Sequence, residues 1–364
     1  MEKNRSAAEV VVQDVVKIKN GERVLIIGNP ATKKVCFDLY EASVAAGGKT
    51  SLIFQPDKSS FDSANDEVIA AIESRPDVCF SISNIKLGKQ PDAIAKPYKT
   101  DDGQEFTHIF DYLLDGLKVM RGVWTPGITD DMMNRTAAID YDLLQSRCGK
   151  LGEIFKGGKS VRVTAPAGTD LTISIVGREL LFDDGDFSKP GTGGNIPAGE
   201  VFISPIVGSS VGTIVYDGSM TFSDGDSILE TPITCKLENG YVTSIDGAAE
   251  AQRLIKTITT AEENALAREA EGRLPAGQGA IYKRNARNIG ELGIGLNPAA
   301  GITGNMLEDE KAFHTCHFAI GENYDNDGPT LIHLDGVVRE PTIVLTYEDG
   351  SEKVILKDGE LQIK

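Results

Sequence analysis

CHFAIGENYDNDGPTLIHLD, residues 316–335, contains two of the chain's four histidines, His317 and His333. Asp335 follows His333 by two positions, and Tyr324 follows His317 by seven. Imidazole and carboxylate groups are the usual protein ligands of Zn²⁺ and of similar divalent ions. The stretch therefore predicts a metal site.

The end of this stretch is typical of a β-strand. Residues 330–338, TLIHLDGVV, are mostly apolar and β-branched. Along a strand, side chains at positions i and i+2 project from the same face. His333 and Asp335 are therefore expected to point together, and Leu334 is expected to point away from them.

The run from 313 to 320 also has the pattern of a strand, and it carries two histidines, His314 and His317. His314 and His317 are three positions apart, so on a regular strand they face opposite sides and at most one joins the site. We expect it to be His317, because Gly321 follows and lets the backbone turn close to an ion. His314 is interpreted as a surface or hydrogen-bonded histidine, and Cys316 as a core thiol.

Composition narrows the class of protein. The chain has 364 residues, which suits two domains, and its net charge of −17 argues against nucleic acid and anionic membranes as partners. Its five scattered cysteines contain no CxxC pair, which indicates reduced thiols rather than a disulfide framework. The sequence shows no secretory h-region and no apolar run of bilayer length, so we expect a cytoplasmic protein.

The first third of the chain alternates between strand and helix patterns. Short apolar runs at 24–27, 49–55 and 78–82 are separated by helical segments at 32–46 and 66–74. This alternation predicts βαβ units and a parallel sheet. The IGNP turn after the first run lacks both GxGxxG and GxxxxGK[ST], so it is weak evidence for a nucleotide site.

From about residue 160 the pattern changes to short β runs with Asp-Gly and Asn-Gly turns, interrupted by one long helix near 248–270. The predicted fold class is therefore α/β followed by β-rich. We expect an N-terminal α/β domain with a parallel sheet over residues 1–155. A C-terminal, mainly antiparallel β catalytic domain with helices is expected over residues 156–364.

Two glutamates lie in unusual surroundings. Glu200 follows the glycine- and proline-rich GTGGNIPAG, and Glu291 lies among glycine and apolar residues in NIGELGIGLNP. A glutamate costs free energy to bury unless it is paired or binds a cation. Each residue could alternatively cap a turn, or pair with an arginine such as Arg178 or Arg287.

Together, these side chains would supply five oxygen and nitrogen ligands. They are Glu200, Glu291, His317, His333 and Asp335. Five such ligands are more than one tetrahedral Zn²⁺ requires, and they suit a pair of divalent ions.

Five segments occur in an order that resembles the aminopeptidase T/aminopeptidase S family of metallopeptidases, the thermophilic-type leucyl aminopeptidases. They are PAGTDLTISIVGREL, NIPAGEVFISP, GELGIGLNP, CHFAIGENY and HLD. The resemblance covers most of the chain and is most specific after residue 150. It implies an α/β N-terminal domain, a β-rich catalytic domain, a cytoplasmic homodimer and peptide substrates.

The resemblance also implies roles for single residues. The same five side chains would be metal ligands, with Glu291 serving as ligand or general base. Tyr324 would lie at the site as a ligand or proton donor. The implied activity is hydrolysis of N-terminal residues from peptides by a hydroxide held between two divalent ions, such as Zn, Co, Mn or Mg.

Two other functions stay open at this point. His317, His333 and Asp335 also form the two-histidine, one-carboxylate set of Fe²⁺ oxygenases, and relatives of the peptidase family that cleave dihydroxypyridine rings look similar overall. The presence of both Glu200 and Glu291 favours the peptidase, since a single-iron site needs fewer carboxylates. A non-catalytic metal-binding relative is the remaining alternative.

Overall fold

The computed structural model describes residues 5–59 and 62–363. The chain divides into two compact units. Unit 1 comprises residues 1–145 and 183–198, and unit 2 comprises residues 146–182 and 199–364. Within the described ranges, no helix is both long and apolar enough to cross a bilayer.

This division differs from the expected single boundary between residues 155 and 156. The chain leaves unit 1 after residue 145 and returns to it for residues 183–198. The chain returns because Gly193–Asn195 forms a parallel strand beside Arg121–Trp124. A three-residue strand rich in glycine has no periodicity for a sequence pattern to show.

Unit 1 contains the expected parallel sheet. Its elements are α1 (Ala7–Val10) continued by the π-helical Val11–Val15, β1 (Arg23–Gly28), the 3₁₀ turn Pro30–Thr32, α2 (Lys33–Ala45), β2 (Lys49–Phe54), α3 (Asp66–Glu73), β3 (Val78–Ile82), α4 (Pro91–Ala95), β4 (Tyr98–Lys99), β5 (Glu105–Phe106), α5 (Ile109–Asp111) continued by the π-helical Tyr112–Gly116, β6 (Arg121–Trp124) and α6 (Asp130–Thr136). The sheet has the order β10-β6-β3-β1-β2, where β10 is Gly193–Asn195, and all its pairs are parallel.

The core of unit 1 explains why its strands are continuous apolar runs. All five residues of β3 are buried, as expected for a strand covered on both faces of a parallel sheet. Leu25 and Ile27 of β1 pack in one cluster with Val68 and Ile72 of α3. The alternating α/β pattern is therefore confirmed.

Unit 2 is built mainly from two antiparallel sheets. Its elements are α7 (Tyr141–Phe155, which begins in unit 1), β7 (Gly158–Thr164), β8 (Asp170–Ser174), β9 (Leu181–Asp183), β11 (Glu200–Ile203), β12 (Val211–Tyr216), β13 (Ser219–Phe222), β14 (Gly225–Ile228), β15 (Ile233–Glu238), β16 (Tyr241–Asp246), α8 (Ala249–Ala270), α9 (Gln278–Asn285), β17 (Ile289–Gly295), α10 (Met306–Asp309), β18 (Thr315–Gly321), β19 (His333–Arg339), β20 (Thr342–Tyr347), β21 (Glu352–Lys357) and β22 (Glu360–Leu361). One sheet has the order β14-β13-β19-β18-β17-β11-β9, and the other β16-β15-β12-β8-β7-β20-β21-β22. The β-rich second half and its long helix are confirmed.

Candidate metal centre

Four adjacent strands of unit 2, β19, β18, β17 and β11, carry the predicted ligands. Glu291 of β17 is opposite Ala319 of β18, which is in turn opposite Asp335 of β19. Alternate residues of a strand share a face, so the residues two positions away from this row project in the same direction. Among them are His317, two positions before Ala319, and His333, two positions before Asp335. The period of two therefore brings two histidines and two carboxylates onto one face of the sheet.

A glycine on β17 makes room for the imidazole of His317. Gly293 is directly opposite His317, and a Cβ atom at Gly293 would lie 2.0 Å from the ring atoms Cε1 and Nε2. Real atoms do not approach this closely, so the ring can lie across β17 only because residue 293 is glycine. This accounts for Gly293 in the glycine-rich segment around Glu291.

The Glu291 carboxylate lies between the two imidazoles. Its Oε1 is 3.3 Å from His317 Nε2, and its Oε2 is 3.0 Å from His333 Nε2. His333 Nε2 is also 3.3 Å from Asp335 Oδ1, and His317 Nε2 is 3.3 Å from Glu200 Oε2. The five side chains proposed as ligands thus converge, although up to 135 positions of sequence separate them.

The backbone orients His333. Its Nδ1 lies 2.9 Å from the carbonyl oxygen of Glu322. A carbonyl only accepts, so Nδ1 donates the hydrogen and Nε2 faces Glu291 and Asp335. A histidine held in this way, with one ring nitrogen on a carbonyl and the other free to bind, is the usual arrangement of a metal ligand.

Two residues that the sequence interpretation missed complete the cluster. Lys311 is fully buried, and its Nζ lies 3.0 Å from Glu200 Oε1 and also contacts Glu310 Oε1. Both residues follow α10 in the run EDEK, residues 308–311. Such a charged run ordinarily indicates a solvent-exposed turn, and its position just before the strand of His317 was the only available signal.

The ligand atoms form two groups, each lying within 4.8 Å. The first group is Glu200, Glu310 and His317, and the second is Glu291, His333 and Asp335. Lys311 already supplies a positive charge to the first group. The second group has no such fixed cation, which makes it the better candidate for a metal ion.

The ionisation of these groups shows how strongly they interact. Burial raises the pKa of Glu200 to about 8, even though the charge of Lys311 opposes this shift. Burial acts in the same direction on Glu291, but hydrogen bonds from His317 and His333 outweigh it and lower its pKa to about 2. Burial alone would lower the pKa of His317, yet Glu291 and Glu200 raise it to about 9. Without a metal ion, protons on the imidazoles balance the carboxylates.

Several buried atoms of the centre lack hydrogen-bond partners within the part of the chain that the structure describes. They are His317 Nδ1, Glu200 Oε2 and Asp335 Oδ1, of which the last two each lie 3.3 Å from an imidazole nitrogen without forming a hydrogen bond. Buried polar atoms without partners are rare and costly. Once the imidazoles lose their protons, four carboxylates with one lysine also leave an excess of negative charge. The donor set of imidazole nitrogen and carboxylate oxygen therefore fits a divalent ion.

Tyr324 lies at the rim of the centre. Its ring packs against Phe202 and His333, with ring centroids 4.7 and 5.5 Å apart, and it is 50% exposed. Its backbone N–H donates to Ser204 Oγ at 3.1 Å. The structure thus places the Tyr324 ring beside the candidate ligand His333, and burial together with the nearby carboxylates, Glu291 first among them, raises the pKa of its hydroxyl.

The arginines considered as partners of the glutamates have other roles. Arg178 pairs with Asp325 and Asp327 at 3.1 and 2.6 Å, which anchors the loop that carries Tyr324. Arg287 pairs with Glu262 at 2.5 Å. The cation that pairs with Glu200 is Lys311 instead.

His314 lies outside the strand. It is exposed, its φ is +68°, and its Nδ1 contacts the carbonyl oxygen of Gly359 at 3.2 Å. A residue with positive φ breaks the alternation of β18, which begins at Thr315. This agrees with the interpretation of His314 as a surface, hydrogen-bonded histidine.

We expect the affinity for a divalent ion to rise with pH. The pKa of His317 is raised to about 9 and that of His333 well above its usual value, so in the metal-free protein both rings hold protons near neutrality. Binding must displace these protons, so between about pH 6 and 8 each proton displaced strengthens binding about tenfold per pH unit. Calorimetric titration with Mn²⁺ in buffers of different ionisation enthalpy would measure both effects. An affinity independent of pH would contradict the assignment.

Sequence comparison relates the chain to a family. The sequence model of the family described as NicX: 2,5-dihydroxypyridine 5,6-dioxygenase matches residues 129–363. A curated 2,5-dihydroxypyridine 5,6-dioxygenase from Pseudomonas putida is 26% identical over 198 residues, which are 53% of this chain and 52% of that protein. This match spans about half the length of the curated relative.

Two solved structures share the fold. The 2,5-dihydroxypyridine dioxygenase of Pseudomonas putida KT2440 has a TM-score of 0.70 at 18% identity, covering 98% of this chain and 96% of that chain. Wild-type AmpT from Thermus thermophilus has a TM-score of 0.67 at 14% identity, covering 98% of both chains. At these identities the likeness shows the fold alone.

The resemblance to the aminopeptidase T family therefore holds for the fold, whereas the family match extends over residues 129–363, a range that includes every candidate ligand. This chain belongs to the 2,5-dihydroxypyridine 5,6-dioxygenase (NicX) family.

Proposed function

We propose that this chain is a mononuclear Fe²⁺ dioxygenase that opens a hydroxylated, nitrogen-containing aromatic ring of the dihydroxypyridine type. One observation carries the proposal: the ammonium group of Lys311 is buried within the first ligand group, between Glu200 and Glu310. Only the second ligand group then needs a metal ion. The match to a dioxygenase family supports the same function.

The ammonium group of Lys311 removes the reason for expecting two metal ions at the glutamates. In the sequence, Glu200 and Glu291 together favoured two ions, because one iron needs fewer carboxylates. With Nζ of Lys311 at 3.0 Å, Glu200 has a cation already, and its charge no longer calls for a second metal ion. His333 and Asp335, joined by the imidazole of His317 or the carboxylate of Glu291, make a ligand set of the kind that binds one Fe²⁺.

Bound iron would supply the chemistry of dioxygen activation, and the chain's own residues would place the ring and move its protons. Glu291 lies between both imidazoles and is buried, and its low pKa keeps it ionised, so that it can accept a hydrogen bond from a ring hydroxyl and orient the ring. Phe202 and Tyr324 provide aromatic surface at the rim against which a planar ring can pack. Arg178, by holding Asp325 and Asp327, keeps Tyr324 in place.

A two-ion metalloaminopeptidase is the second candidate, and a specific contact favours it. The two oxygens of Glu291 approach different imidazoles, at 3.3 and 3.0 Å, as a carboxylate does when it bridges two ions. The fold shared with AmpT is compatible with this function. It requires Lys311 to move away from the first ligand group, since an ammonium and a divalent ion would repel each other there.

Oxygen consumption distinguishes the two functions. We expect the protein loaded with Fe²⁺ under anaerobic conditions to consume one O₂ per 2,5-dihydroxypyridine, and we expect no hydrolysis of aminoacyl anilides with Zn²⁺, Co²⁺ or Mn²⁺. Asp335→Asn should lose the activity, and His314→Ala should keep it, because His314 lies outside the ligand groups. Anilide hydrolysis without oxygen uptake would establish the aminopeptidase instead. Bound metal with neither activity would indicate a non-catalytic relative.

A further inference from the structure

Unit 1 contains a cavity of about 520 Å³ at the carboxyl ends of β3 and β6. Ser81 and Ser83 line it from the end of β3, and Trp124 and Thr125 line it from the end of β6. Open parallel α/β sheets bind ligands outside the carboxyl ends of their strands. The volume also lies within the range of about 300–1,000 Å³ that small-molecule sites occupy. None of the residues that line it belongs to the metal centre.

The cavity gathers apolar side chains that are exposed to solvent. Ile85, Ile94 and Trp124 are 47%, 52% and 36% exposed, and all three line it. Phe110, which is buried and packs edge-on against Trp124 with ring centroids 6.2 Å apart, extends the same wall. Apolar surface concentrated in a concave site is stabilised when a ligand covers it.

The end of the sheet adds hydroxyl groups. Ser81 Oγ and Ser83 Oγ hydrogen-bond each other at 3.0 Å. Thr125 is only 1% exposed, and its Oγ1 has no hydrogen-bond partner within residues 5–59 and 62–363. A buried hydroxyl without a partner costs free energy, which a ligand with a polar edge would recover.

The charges around the cavity balance. Lys86 and Lys89 line it together with Asp111 and Asp115. Burial, followed by the charge of Asp115, raises the pKa of Asp111 to about 6, so Asp111 is ionised at pH 8. Burial lowers the pKa of His108 to about 4, so its ring is neutral. Two positive and two negative side chains favour a ligand without net charge over either an anion or a cation.

We propose that this cavity is a binding site for a small, neutral, planar heteroaromatic molecule. Its apolar body would pack against Trp124, Ile85 and Ile94, and its polar edge would bind the hydroxyl of Thr125. Aromatic faces and aliphatic side chains recognise the flat body of such a ring, and hydroxyl groups can donate to or accept from its heteroatoms.

The intrinsic tryptophan fluorescence of the protein reports binding at this site, because Trp124 is its only tryptophan. Benzimidazole, a neutral ring system with one donor and one acceptor, serves as the probe. Benzoate and benzamidinium are its anionic and cationic counterparts of similar size. With the full chain at about pH 8, we expect benzimidazole to change Trp124 fluorescence saturably. The two charged probes should bind at least about tenfold more weakly.

Variants with matched controls test the location. Ile85→Ser should weaken benzimidazole binding about tenfold, whereas Val176→Ser should leave it unchanged, since Val176 is equally exposed (48%) but lies outside the cavity. Thr125→Val removes the hydroxyl at nearly constant volume. It should weaken binding without lowering the Tm of the free protein, because the lost hydroxyl had no partner. His333→Ala should bind benzimidazole as the parent does.

The opposite results would overturn the proposal. These are a fluorescence signal that does not saturate, tighter binding of benzoate or benzamidinium, or equal affinity in the parent, Ile85→Ser and Thr125→Val. Loss of binding in His333→Ala would assign the signal to the metal centre instead.

Discussion

Lys311→Met should change the metal content from one ion per chain to two. The substitution removes the ammonium from the first ligand group and leaves Glu200, Glu310 and His317 free to bind a second cation. It also leaves the buried carboxylates of Glu200 and Glu310 without their ammonium partner, which should destabilise the metal-free protein by about 3–5 kcal/mol. Added metal should recover much of this loss, because an ion that binds only the folded state stabilises it by mass action.

Metal analysis after dialysis and thermal unfolding with and without Mn²⁺ measure both effects. The loss of stability should grow as pH rises, since a carboxyl group whose pKa is raised in the folded state is destabilising once it must ionise. Glu200, with a pKa of about 8 even beside Lys311, is the group concerned. Lys150→Met is the control, because Lys150 is exposed on α7. If the variant still binds one ion and keeps its stability, Lys311 does not act as the second cation.

His333→Ala should lose its metal ion while the protein remains folded. The imidazole contributes Nε2 to the group formed with Glu291 and Asp335, and its Nδ1 is held by the Glu322 carbonyl. Because outer-shell partners alone are worth about 10–100-fold in affinity, loss of a ligand should cost at least about a hundredfold. Metal content after dialysis should therefore fall close to zero.

His314→Ala is the matched control for this variant. It removes the same side chain three residues before His317, from an exposed position on the Gly359 carbonyl, and it should keep its metal. Circular dichroism and Tm would verify that both variants fold. Full metal content in His333→Ala would place the ion elsewhere and would end the proposed ligand set.

Much of the fold was predictable because the periodicities of the sequence are local. The apolar runs that became β1 and β3 are buried on both faces, and the helix Ala249–Ala270 lies within one residue of its expected start. The boundary between the units was harder to predict from the sequence. It depends on residues 183–198 returning to pair with β6, a contact across more than 60 positions of the chain.

In the candidate site, too, only the features that depend on local spacing could be predicted from the sequence. The spacing of His333 and Asp335 predicted that they share a face, because alternation along a strand is a property of the backbone itself. Glu310 and Lys311 gave no comparable signal. Their charges are typical of a surface turn, and only the structure shows Lys311 buried against Glu200, which is 111 positions away in the chain.

The sequence by itself determined which side chains can bind a metal ion and that the strands direct several of them to one face. The tertiary structure decided how the charges among them are balanced, by placing the Lys311 ammonium between Glu200 and Glu310. Electrostatic interaction depends on distance in space and on burial, and neither can be read from order along the chain.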